Sequence, residues 1–184
     1  MIRILIIFFI LNFNFSASAS IKESIISKLE LTENLSFNFK QTINDNDENG
    51  SCIIKYQKKI YCEYNNINRK IIVSNGKSLV IKNRNSGTFY IYPLKKTPLF
   101  FLLDKNYLIK KIKTSTFRNI NNKYLNYKLF EDNNEINIFF DKKNYNLVGW
   151  QTEDVYQNLT IMFISSIKIN QKINNDLFIL PERD

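Results

Sequence analysis

Residues 35–40 read Leu35-Ser36-Phe37-Asn38-Phe39-Lys40. Large apolar side chains alternate with polar ones, and that period of two sets Leu35, Phe37 and Phe39 on one face of a β-strand. The same behaviour recurs downstream, at 51–56, 59–64, 69–74, 78–83, 88–92, 124–131, 135–141, 146–153 and 158–169. Turn residues separate these runs. Asn49-Gly50 and Asn75-Gly76 are the strongest tight-turn dipeptides, since both residue types tolerate positive φ. Short strands at such spacing predict one large antiparallel sheet, and about ten strands rarely stay flat, so it should curl into a sandwich or barrel.

Helices bracket and interrupt the strands. Ser20 followed by Glu23 is a capping-box pattern, and Ile21, Ile25, Ile26 and Leu29 recur at helical spacing, which predicts an amphipathic helix over 20–32. Further on, Thr97 can cap a helix and Pro98 suits its first position, with Leu99, Phe100, Phe101, Leu102 and Leu103 following before Asp104. A helix apolar all round must be buried on more than one side. Residues 106–113 read as either a further helical turn or a strand.

The start of the chain reads as an export signal. Arg3 supplies the charge, Ile4–Phe13 an apolar stretch broken at Asn12, and Ala17-Ser18-Ala19 a small-residue cleavage site. The apolar run is about half of the roughly 20 residues that a retained membrane span needs. Cleavage before Ser20 leaves residues 20–184 as one domain, working outside the cytoplasm.

Composition narrows the chemistry. The chain has no histidine, which removes Ser-His-Asp and Cys-His nucleophile systems and the commonest zinc sites. The acid pairs Asp132/Glu135 and Glu153/Asp154 sit beside turns, where carboxylates are usually solvated caps. The expectation is a protein with no catalytic site, no metal and no cofactor. A formal charge of +9 raises the question of nucleic acid, but the lysines are scattered and form no basic stripe, so no nucleic-acid partner is expected.

Cys52 and Cys62 complete the reading from the residues. Residues 52–55 and 59–62 form the arms of a hairpin that turns around Tyr56, Gln57 and Lys58, so the two cysteines face each other. Facing positions lie within the α-carbon range that a disulfide accepts, and an oxidising compartment permits the bond.

Several segments taken together resemble the LolA family of periplasmic lipoprotein carriers. Phe37-Asn38-Phe39-Lys40-Gln41 is similar to the family's F-x-F-x-Q strand. Gly50 through Tyr64 resembles its G-x-L...R-P-G-K-F-R-W-x-Y hairpin, and Ile72-Val73-Ser74-Asn75-Gly76-Lys77-Ser78-Leu79 its I-V-S-D-G-K-x-L turn. Tyr92-Pro93-Leu94 leading to Thr97-Pro98-Leu99 is similar to the entry into a lid helix.

The resemblance implies a mainly β protein with helices: a half-open antiparallel β-barrel with a helical lid over an apolar cavity. The cavity would take the acyl chains of lipoproteins received from an inner-membrane ABC transporter and passed to an outer-membrane receptor, with the carrier a monomer. Candidate lining residues are Phe37, Phe39, Ile54, Leu79, Phe89, Ile91, Leu99, Phe100, Leu102, Leu103, Ile138, Phe140, Trp150, Ile161 and Phe163. In the family hairpin an arginine before the proline ties the closed lid; here Tyr56 and Gln57 hold those positions, and Cys62 replaces an aromatic. Either the Tyr56 hydroxyl makes the equivalent hydrogen bond or packing alone closes the lid. Alternative functions are a lipid- or envelope-stress-sensing binding module of the same fold and, further off, a secreted hydrolase.

Overall fold

The computed structural model describes residues 20–56, 58–131, 134–153 and 158–183. The export signal at 1–19, and with it Gln57, Asp132 and Asp154, lies outside the described residues. Helix α1 (Ile21–Leu31) opens the domain, and its capping box is complete: the Ser20 hydroxyl accepts from the Glu23 amide, and the Glu23 carboxylate accepts from the Ser20 amide. The strands that follow are β1 (Asn34–Ile43), β2 (Asn46–Lys55), β3 (Lys59–Tyr64), β4 (Lys70–Asn75), β5 (Ser78–Asn83) and β6 (Phe89–Pro93). A 3-10 turn at Leu94–Lys96 leads into α2 (Leu99–Leu102) and α3 (Lys105–Thr114). Then come β7 (Phe117–Ile120), β8 (Tyr124–Glu131), β9 (Asn134–Asp141), β10 (Leu147–Glu153) and β11 (Leu159–Ile169), followed by a second 3-10 turn at Asn175–Phe178.

All strands belong to one antiparallel sheet, ordered β6-β5-β4-β3-β2-β1-β11-β10-β9-β8-β7. β6 and β7 are its two edges and do not pair, so the barrel is open. The connection between those edges carries α2 and α3, and α1 packs against α3. The three helices therefore roof the concave face, where Leu35, Phe37, Phe39, Cys52, Ile54, Ile60, Ile138 and Phe140 form one buried core with Ile25, Leu29, Leu108 and Ile112 from the helices. The opposite, convex face carries a separate small cluster in which Phe178 of the C-terminal segment is buried, as are Ile71, Val73 and Val80.

Two local expectations are corrected and one open alternative is resolved. Asn49-Gly50 lies within β2; the turn falls at Asn44-Asp45, whose φ values of 46° and 64° are both left-handed. Gly50 is required for another reason: a Cβ there would stand 2.7 Å from the Phe39 ring and 2.2 Å from the Glu63 carbonyl. Thr97 does not cap α2; its hydroxyl donates to the Leu94 carbonyl at 2.8 Å, and Pro98 occupies the cap position. Residues 106–113 are helical, with Asp104 as the α3 cap accepting from the Tyr107 amide at 3.0 Å. Asn75-Gly76 does turn the chain, with Gly76 at φ 98°.

Candidate functional site: a lidded apolar cavity

Between α2 and the sheet lies a cavity of about 180 Å³. Its floor is Gln41 from β1, Ile60, Cys62 and Tyr64 from β3, Ile72 from β4, Trp150 and Thr152 from β10, and Thr160 and Met162 from β11. Pro98, Leu99 and Leu102 form its roof. Strand register explains the floor: Gln41 faces Met162, Met162 faces Trp150, and Cys62 faces Cys52 and Ile72, all on the concave side. Cys52 and Cys62 are bonded across the hairpin with their α-carbons 4.1 Å apart, so the disulfide is part of that floor. The edge-on contact of Phe37 with Trp150, centroids 6.2 Å apart, holds the indole against it.

The roof is held from the hairpin tip. Lys58, at φ 65° in the β2–β3 turn, sets its ammonium 3.0 Å from the Asp104 carboxylate and 4.3 Å from the Phe100 ring centroid. Asp104 caps α3 with its other oxygen, so one carboxylate joins helix start and hairpin tip. The Lys58 carbonyl accepts from the buried Ser74 hydroxyl at 3.1 Å, which braces the turn against β4. Lys105 ties the helices together by donating to the Glu30 and Thr32 carbonyls at the end of α1, each at 3.0 Å. At the far end, Glu131 of β8 accepts from Lys111 at 2.6 Å and from the Tyr107 hydroxyl at 3.1 Å; the Lys111 contact above all holds its carboxyl below the usual value.

Of the expected lining residues, Leu99, Leu102 and Trp150 line the cavity. Phe37, Phe39, Ile54, Leu79, Leu103, Ile138 and Phe140 are buried in the same core around it, and Phe100 is half-buried in the lid beneath Lys58. Four expectations are corrected: Phe89, Ile91, Ile161 and Phe163 point to the convex face. Ile91 pairs with Val80 and Phe163 with Lys40, both one step out of phase with the floor, and Ile91 and Phe163 are exposed. The physical reason is that both strands carry apolar residues at both parities. In β11 the register also shifts opposite Ser36/Asn38, beside Ser166 at φ 51°, so Ile164 and Ile167 both turn inward and no single alternation serves the whole strand.

Tyr56 is half-buried, and burial pushes its phenol up. Its hydroxyl has no hydrogen-bond partner among the described residues, and the lid contact belongs to Lys58, two positions on. The signal for Lys58 was its place at the tip of a hairpin facing an acid that caps the next helix. Gln41, Tyr64, Thr152, Thr160 and Met162 were also missed, because a polar or flexible residue at an inward position looks like a surface residue in the sequence. Glu135 pairs with Lys128 at 2.7 Å, which leads in holding its carboxyl low, and Glu153 is exposed. Among the described residues no group of acids and cysteines could hold a metal ion, and no helix is long and apolar enough to cross a membrane.

Sheet order, open edges and a helical roof over an apolar cavity define the class: a half-open antiparallel barrel with a lidded cavity. The family described as outer membrane lipoprotein carrier protein LolA matches residues 30–180, and the chain belongs to it. The fold is similar to an uncharacterized conserved protein from Thermus thermophilus at a TM-score of 0.52 and 8% identity, covering 86% of this chain and 93% of that one. It is also similar to MucB, at a TM-score of 0.50 and 7% identity, covering 92% of this chain and 65% of MucB. A LolA superfamily protein from Nitrosomonas europaea is 10% identical, covering 88% of this chain and 99% of that one, at a TM-score of 0.45. The sequence matches no curated protein.

Proposed function

We propose that this chain carries acylated lipoproteins through the periplasm, from an inner-membrane ABC transporter to an outer-membrane receptor, after residues 1–19 have directed its export. The observation that supports this most is the cavity roofed by a four-residue helix against which Lys58 of the hairpin tip packs. A void of 180 Å³ is close to one that accepts a benzene-sized molecule, roughly 150 Å³, and far from a whole acyl chain. Cargo therefore enters by lifting α2 and opening the seam above Ile72 and Met162. Each methylene buried contributes about 0.8 kcal/mol, so the affinity grows with the length of chain admitted and the lid position decides retention or release.

Residues 20–184 incubated with a synthetic triacylated lipopeptide should yield a soluble one-to-one complex in native mass spectrometry and compete with vesicles for it. A chain that binds the unacylated peptide as well as the acylated one would instead be a protein-sensing module.

A further inference from the structure

We infer that the cavity has a polar end that selects an uncharged acyl ester or amide, holding the carbonyl at the head of the chain. The inference rests on the acyl-cavity reading above and adds which ligand head it accepts and which way round. Thr152 and Thr160 face each other across β10 and β11, one step along from the Trp150–Met162 pair, and Gln41 stands opposite Met162 on the other side. All three line the cavity, and Gln41 and Thr152 are buried. The Gln41 carbonyl accepts from the Tyr64 hydroxyl at 2.6 Å, which orients the amide and leaves its NH₂ without a partner among the described residues. The hydroxyls of Thr152 and Thr160 likewise have none. These donors can bind water while the cavity is empty, and a ligand acceptor that replaces that water gains a net hydrogen bond of about 0.5–1.5 kcal/mol each.

The charge of the head follows from what surrounds it. No lining residue carries a charge, and burial, helped by the Glu48 carboxylate, keeps the Tyr64 phenol protonated. The Lys70 ammonium lies 3.9 Å from the Tyr64 ring centroid and is already paired with Glu48. A fatty-acid carboxylate would lose its hydration at this end and meet no cation, whereas a neutral carbonyl needs only the donors present. The direction follows too. Gln41 and Thr160 lie toward the hairpin turns where Asn44 donates to Asn158 at 2.7 Å, so the head sits at that rim and the chain runs under α2.

The test titrates residues 20–184 with monodecanoylglycerol, decanoate and decane, following Trp150 fluorescence. The expected order has the ester at least tenfold tighter than the carboxylate. Gln41→Leu and the near-isosteric Thr152→Val/Thr160→Val pair should each weaken the ester by about tenfold and leave decane unchanged, as a site built around hydrogen bonds does when they are removed. Equal weakening of ester and decane, or decanoate binding as well as the ester, overturns the inference while leaving the acyl cavity standing. A chain that binds none of the three overturns the cavity reading itself, and this inference with it.

Discussion

The two halves of the roofed face are built from the same alternating strands, yet one is solid and the other hollow. Under α1 and α3, Leu108, Ile112, Leu125, Ile136 and Ile138 are sealed from solvent, and the gap beside Leu29 and Leu147 is about 20 Å³, room for roughly one water. Under α2 the cavity is about 180 Å³. The strands do not explain the contrast; the roof does. α3 has ten residues and sends Leu108, Ile109 and Ile112 into the core, whereas α2 is a single turn of four. A short helix covers a floor that it cannot fill, and Thr152, Thr160 and the Cys62 sulfur keep that floor low.

That contrast can be broken first by truncation. Ile112→Ala removes a side chain with no exposure from the solid half and should cost about 2–5 kcal/mol in urea unfolding. Leu99→Ala, half-buried over the hollow half, should cost less than half as much. Equal losses would mean that the two halves are packed alike.

Filling the hollow is the next largest effect. Ile72→Phe should lower affinity for acyl ligands tenfold or more while changing stability by less than about 1.5 kcal/mol, because the added ring enters existing space. The same enlargement at Ile138, in the solid half, should destabilise instead.

Lys58→Met removes the ion pair with Asp104 and the contact with Phe100. Because both partners remain partly solvated, the expected cost is about 1 kcal/mol, read as acyl ligand leaving about fivefold faster. An unchanged dissociation rate would place the latch elsewhere.

The architecture was legible in the sequence to the extent that it was periodic. Alternation around Phe37 and Phe39, the Ser20/Glu23 box and the apolar run after Pro98 each report a local rule, and each appears in the fold. The floor of the cavity was less legible because it depends on register. The shift between β1 and β11 moves Phe163 outward and Met162 inward, and nothing within residues 158–169 marks it. Lys58 was hidden for a different reason: a lysine in a turn gains its role only when a helix start from far along the chain, at Asp104, arrives beside it.

The smallest effect concerns the far anchor of the lid. Glu131 is held below its ordinary value of 4.5, chiefly by Lys111, so its contribution is complete above that value and fades as pH falls through the lowered one. Protection of α3 amides from hydrogen exchange should therefore fall, relative to that of β1, as pH drops below 4.5, and Glu131→Gln should remove the dependence.

The most direct test of the hollow half uses Trp150, the only tryptophan in the chain and part of the cavity floor. A lipopeptide carrying bromine on its acyl chains, titrated into residues 20–184, should quench Trp150 fluorescence saturably at one equivalent, and Ile72→Phe should abolish the quenching. Saturable binding of the lipopeptide with Trp150 unquenched would put the acyl chains elsewhere and contradict the account.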